Sequence, residues 1–226
     1  MTELIPVTNY QELVLLLLFL PIVSTLVGMF RHLVGVRTLS LYAPILLTYA
    51  FIALGLSTTS GSINVVFALL AGVGIYALVF IVTILLYTSL RRLRLHYFPK
   101  VSLVFTVLSI LILAIVSLLF QLGVKEVVNL NVLAVVLVAS ISERMISTYA
   151  RHGIKASINI SGETLLLAVF NFLLFSWEAF QTFLLASPWI LIIVLVINLL
   201  VGRVTGLRLL EYFRFWEILN KEQDQD

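Results

Sequence analysis

Apolar runs divide almost the whole chain. The first covers residues 13–30 and holds Pro21; the second covers 39–56 and holds Pro44. A third occupies 63–90, a fourth 101–122, and a fifth, short for a span, 127–141. The sixth covers 165–177, with a start as early as Ile158, and the seventh covers 183–201 with Pro188 near its start. A helix needs about 20 apolar residues to cross a bilayer. The pattern therefore predicts an all-α polytopic membrane bundle of about seven transmembrane helices, with the lipid bilayer as its solvent. The junctions are polar. Residues 57–62 are small and uncharged, and residues 91–100 are strongly basic.

Composition sharpens this picture. The 226 residues are 62% hydrophobic and 11% charged, against roughly half and a quarter in a soluble domain. Seven spans of about 20 residues leave no room for a separate soluble domain, so 1–219 reads as a single transmembrane domain and 220–226 as a flexible polar tail. The first run does not read as a signal peptide. Glu3 and Glu12 precede it without any Lys or Arg, and the first alanine is Ala43, so no A-x-A cleavage site is available. Arg31, His32 and Arg37 follow it instead.

Counting Lys and Arg by side orients the bundle. The odd-to-even junctions and the C-terminus hold Arg31, Arg37, Arg91, Arg92, Arg94, Lys100, Arg144, Arg151, Lys155, Arg203, Arg208, Arg214 and Lys221. The other side holds Lys125 alone, so 13 of the 14 basic residues share one side. The positive-inside rule places the N-terminus outside and the C-terminus in the cytoplasm. The net charge of +3 thus reflects topology and does not point to nucleic acid.

Polar residues within apolar surroundings are the candidates for function. Glu163 stands in Ser161-Gly162-Glu163-Thr164 at the mouth of the sixth run. One reading is a helix start capped by Ser161, with the carboxylate at the positive helix terminus. The other is a carboxylate facing the bundle, paired with an arginine or a cationic substrate. Asn171 and Asn198 lie deeper and suit helix-to-helix hydrogen bonds. Glu143 and Arg144 follow the fifth run, and Ile141, Met145, Tyr149 and His152 fall close to one face of a helix. That face suits an interfacial amphipathic helix or a partner's dock, and Glu143 beside Arg144 also suits a buried ion pair at a helix break. Pro44, with Gly35 and Gly55 flanking its run, allows a broken or re-entrant segment as well as a simple kink. Residues 207–219 are amphipathic and extend the last helix or lie along the membrane surface.

The chain has no cysteine, which excludes disulfides, thiolate catalysis and cysteine metal sites. H-E-x-x-H, P-loop, G-x-S-x-G and G-x-G-x-x-G motifs are all missing, and both aspartates lie in the tail. No catalytic residue, metal site or cofactor is expected.

Three patches carry a resemblance. They are Gly35-Val36-Arg37-Thr38 with Pro44 and Gly55-Leu56; Glu143-Arg144-Met145-Ile146 with Arg151-His152-Gly153; and Gly202-Arg203-Val204-Thr205-Gly206-Leu207-Arg208-Leu209-Leu210-Glu211 with Arg214-Phe215. In order and spacing they resemble a bacterial seven-transmembrane-helix module usually fused to an inactive transglutaminase-like domain. Pro99-Lys100 stands where that family has Pro-Arg. Arg151 replaces an acidic residue of the family pattern, and Val204 and Leu207 replace tyrosines. A fainter similarity links the chain to the small membrane subunit of poly-gamma-glutamate capsule synthesis. The resemblance implies a non-enzymatic component of a prokaryotic cytoplasmic membrane. It further implies a scaffold or export partner for an ATP-grasp glutamate-ligase-like enzyme or its acidic peptide-like or polyglutamate-like product. The residues matched to those patches, with Glu163, form the candidate binding set: Arg37, Glu143, Arg144, Glu163, Arg203, Arg208, Glu211 and Arg214. A transporter or channel for a small anionic metabolite and an intramembrane enzyme are the alternatives.

Overall fold

A computed structural model of the chain describes residues 7–56, 65–90, 96–121 and 132–203. Helices account for nearly all of them. They are α1 (Val7–Met29), α2 (Tyr42–Leu56), α3 (Val65–Leu90), α4 (Tyr97–Gln121), α5 (Val132–Ser140), α6 (Ser142–Ser176), α7 (Glu178–Ala186) and α8 (Ile190–Arg203). The basic run at residues 91–95 lies outside the described residues, as do Lys125, the amphipathic stretch 207–219 and the tail.

α1 carries Pro21 inside it. Thr25, one turn on, donates its hydroxyl to the Pro21 carbonyl at 2.8 Å. The helix then loosens into a π-helical turn, Phe30–Val34, and ends at Gly35. Gly35 sits at φ +84°, ψ +20°, a left-handed conformation that costs glycine nothing. Its N–H and that of Val36 both return to the Phe30 carbonyl, at 3.1 and 3.2 Å. A non-helical segment then leads to α2, where Ser40 Oγ accepts the Ala43 N–H at 3.0 Å and caps the new helix.

Pro44 therefore neither breaks nor kinks the second span. It lies in the first turn of α2, where a missing N–H is tolerated. The break lies upstream, in residues 35–41. α2 has 15 residues and is about 22 Å long, short of the roughly 30 Å hydrocarbon core. It is also the centre of the molecule. Ala43, Ile45, Leu47, Thr48, Phe51 and Leu54 are all buried, and α1, α3, α5 and α6 surround it.

The fifth and sixth runs form one nearly continuous helical stretch of 45 residues, Val132–Ser176. It is interrupted by a turn at Ile141 and by Gly153 at φ +77°, ψ −179°. Both α5 and α6 pack on α2 and α3, which a straight rod of that length would not permit, so the chain turns at Gly153. Residues 132–152 and 154–176 (21 and 23 positions) are each about long enough to cross once. The fifth run thus ends at Gly153, beyond Ile141, and the sixth begins just after it. Ser161 is consequently mid-helix and does not cap a helix start.

The seventh run is not one rod. α7 and α8 meet at 98° across Ser187-Pro188-Trp189, because proline ends the helical pattern and disfavours it in the preceding residue. α4 and α8 are peripheral. Val104 and Leu108 are buried on α4, and Val194 on α8. Phe98, Leu113, Ile192 and Leu199 are largely exposed. Apolar side chains exposed in this number fit a lipid-facing surface.

Candidate functional site

The break before α2 creates a demand. Irregular backbone inside a membrane bundle survives only where its N–H groups find partners. α6 supplies them. Glu163 Oε2 accepts the Arg37 N–H at 2.5 Å, and Thr164 Oγ1 accepts the Leu39 N–H at 3.0 Å. Thr164 in turn donates its hydroxyl hydrogen bond to the Ile160 carbonyl at 2.7 Å. The non-helical segment is thus latched to the middle of α6 by two consecutive side chains. Of the candidate residues, Arg37 and Glu163 are brought together, through a backbone N–H and not as an ion pair. The Arg37 side chain is exposed.

Above the latch, Thr48 of α2 donates to its own Pro44 carbonyl at 2.7 Å and to the Ala168 carbonyl at 3.3 Å. The Phe51 and Phe172 rings meet edge-on at 5.9 Å. These successive contacts show α2 running parallel to the later part of α6. Below the latch, the Tyr76 hydroxyl of α3 lies 2.6 Å from Ser161 Oγ and donates to the Ser161 carbonyl at 3.1 Å. On the opposite flank Asn198 Nδ2 donates to Thr25 Oγ1 at 2.7 Å, tying α8 to α1. Asn198 thus bonds helix to helix, as its position in the sequence suggests.

Asn171 does not. It is fully buried, and neither its amide nitrogen nor its oxygen has a partner among the described residues. Thr38, Thr83, Ser142 and Ser157 likewise have buried hydroxyls without a partner among the described residues. Each such group left dry costs about 1–3 kcal/mol. Five of them together approach the entire stability of a folded domain, roughly 5–15 kcal/mol. Sequence reasoning noticed Asn171 but missed the others and the Tyr76–Ser161 pair. The available signal was spacing: Ser157, Ser161, Thr164, Ala168 and Asn171 recur at steps of four and three, so they share one helix face.

A second group forms at the start of α6. Glu143 and Arg144 are both exposed, so they are not a buried ion pair. Ile141 and Met145 are fully buried and Tyr149 is half-buried. Ile141, Met145 and Tyr149 thus turn that face into the bundle, while His152 at its end is exposed. Tyr149 meets Tyr87 edge-on at 5.7 Å and reaches the Thr88 hydroxyl at 3.2 Å. Tyr97, opening α4, lies within electrostatic reach of Glu143, Arg144 and Arg151. Three tyrosines and exposed arginines thus gather where α3, α4 and α6 meet. Arg203 stands apart, exposed at the end of α8. Arg208, Glu211 and Arg214 lie outside the described residues. No group of three or more metal-ligating His or acidic side chains occurs among the described residues.

A family model described as 7 transmembrane helices usually fused to an inactive transglutaminase matches residues 3–219. The chain belongs to this family. The match covers all eight helices, so this multi-pass module is built from the bundle itself. Among the described residues four helical stretches are long and apolar enough to cross a membrane, or five if the bent α7–α8 pair is one span, and α2 is a shorter apolar helix. No curated protein and no solved structure matches the chain.

Proposed function

We propose that the module is a non-enzymatic component of a prokaryotic cytoplasmic membrane, with its basic end in the cytoplasm. There it holds an ATP-grasp glutamate-ligase-like enzyme or that enzyme's acidic peptide-like product. One observation carries the reading: no charged side chain is fully buried among the described residues. Arg31, Arg37, Glu143, Arg144, Arg151, Lys155 and Arg203 are exposed, and the half-buried Glu163 is engaged by backbone. Pumps and ion-coupled transporters keep ionisable groups inside the bundle; this module keeps them at its surface, where a partner meets them. The test replaces Arg208 and Arg214 with alanine and measures recruitment of a co-expressed ATP-grasp ligase-like protein to membranes. Recruitment is expected to fall; unchanged recruitment refutes the docking role.

A transport reading draws on the non-helical entry to α2, since broken spans line substrate paths in many transporters. Flux of acidic amino acids or peptides into proteoliposomes, lost in Glu163→Gln, would favour it. An absence of flux for all of them counts against it.

A further inference from the structure

We propose that the bundle interior holds a hydrated seam, a file of water-binding side chains along the inner face of α6 from Ser157 to Asn171. Ser157, Ser161, Thr164, Ala168 and Asn171 share that face and are all buried. The packing of α6 against α2 and α3 covers it. Its two ends are unsatisfied. Ser157 is 1% exposed and Asn171 0% exposed, and neither side chain has a partner among the described residues.

Side chains from other segments converge on the same line. Thr38 lies between Arg37 and Leu39, whose N–H groups are fixed to Glu163 and Thr164, so its backbone stands beside the middle of the seam, and its buried hydroxyl has no partner among the described residues. Thr83 shares the buried face of α3 with Tyr76, two turns further toward the end where Tyr87 meets Tyr149. Ser157 lies one turn from Ser161 in the direction of Gly153. Because Tyr76 and Ser161 are bonded, Thr83 and Ser157 step from that bond toward the same end of the bundle. Ser142, opening α6, is a further fully buried hydroxyl without a partner among the described residues.

The chemistry of the group selects its ligand. Hydroxyls and a carboxamide are neutral and each can donate and accept. Buried water binds between such groups, making about three hydrogen bonds apiece. The one nearby carboxylate, Glu163, already accepts from backbone. The set therefore suits water, and it offers no fixed charge to a metabolite anion. The seam does not depend on what the basic end binds.

The absence of cysteine makes the test direct, because each introduced thiol is alone. Ser157→Cys, Asn171→Cys and Thr83→Cys would be compared with Val23→Cys on α1 and Val104→Cys on α4, whose positions are equally buried but apolar and lie away from the seam. The probe is deuterium, taken up by the thiol S–H and read from its infrared stretch when the full chain in proteoliposomes is moved into D2O. The three seam thiols are expected to exchange many-fold faster than the two controls. Seam thiols as inert as the controls, with all five labelled after denaturation, would overturn the proposal. Equal, fast labelling of all five would also overturn it, since it would mean a loose bundle. Asn171→Leu gives a second readout. A hydrated amide makes its loss destabilising and lowers the Tm, whereas a raised Tm would mean that Asn171 is buried dry, against the proposal.

Discussion

Replacing Gly72 with alanine probes the packing at the centre of the bundle. Gly72 lies on the buried face of α3, and the Phe51 ring of α2 rests on its backbone. A methyl group added there would stand 2.2 Å from Phe51 Cδ1 and 2.3 Å from Cε1. Carbon atoms settle at roughly 3.5–4.0 Å, so the ring would have to retreat by more than about 1 Å. It has no room to do so. Phe51 is fully buried, and Phe172 closes its other side edge-on at 5.9 Å and 80°. Overpacking of this kind costs about 1–3 kcal/mol, and each kcal/mol lowers the Tm of a chain this size by roughly 2–4 °C. Gly72→Ala is therefore expected to melt about 2–12 °C below the parent in detergent. Gly74 provides the control: a methyl group there meets nothing within 4 Å. Gly74→Ala should leave the Tm unchanged or raise it, because alanine favours a helix over glycine by about 1 kcal/mol. Adding Phe51→Leu to Gly72→Ala should restore part of the loss, seen as coupling in a double-mutant cycle. A Gly72→Ala protein that melts with Gly74→Ala would refute the close approach of α2 and α3.

Three further outcomes are expected. Thr164→Val strips the acceptor from the Leu39 N–H and should cost about 1–3 kcal/mol in thermal melts, while Thr164→Ser keeps the hydroxyl and should cost less; equal Tm values for the two would refute the latch. Tyr76→Phe and Ser161→Ala should each cost about 0.5–1.5 kcal/mol, and the double variant should be little worse than Tyr76→Phe alone, since loss of the phenol hydroxyl already removes the contact with Ser161 Oγ; fully additive losses would show that the residues act separately. Gly153→Ala places a side chain at φ +77°, a strained conformation worth roughly 1–3 kcal/mol, so limited proteolysis should open the junction between residues 132–152 and 154–176; a protease-resistant variant would show that the turn tolerates Cβ.

Hydropathy located the long helices because lipid imposes length and polarity on each span independently. The third run contains all of α3 and ends with it at Leu90, and the fourth begins four residues inside α4. Where the sequence reading went astray, a tertiary partner had replaced a local signal. Ser161 followed by Glu163 has the composition of a helix start, yet Ser161 is spent on Tyr76 and Glu163 on the Arg37 N–H. Pro44 suggested a broken span, but the break comes earlier, at Gly35, because Ser40 restarts the helix in time for the proline to occupy its first turn. Pro188 was expected within a span and instead turns the chain sharply. The latch pairs residues 126 and 125 positions apart, and no local pattern encodes a separation of that size. The polar seam was legible in principle, because its four-three spacing survives in the sequence, but small hydroxylated residues read as neutral filler until the partners around them are known.

Gly153 also bears on how the module holds together. A single residue joins the two helical arms on either side of it, with no loop between them. The later arm carries Ser157, Asn159, Ser161, Glu163, Thr164 and Asn171, and the earlier one carries Glu143, Arg144, Arg151 and His152 beyond its apolar start. Both arms pack on α2 and α3. The glycine therefore ties their fates together: a variant that straightened the junction would withdraw both arms from the centre of the bundle at once.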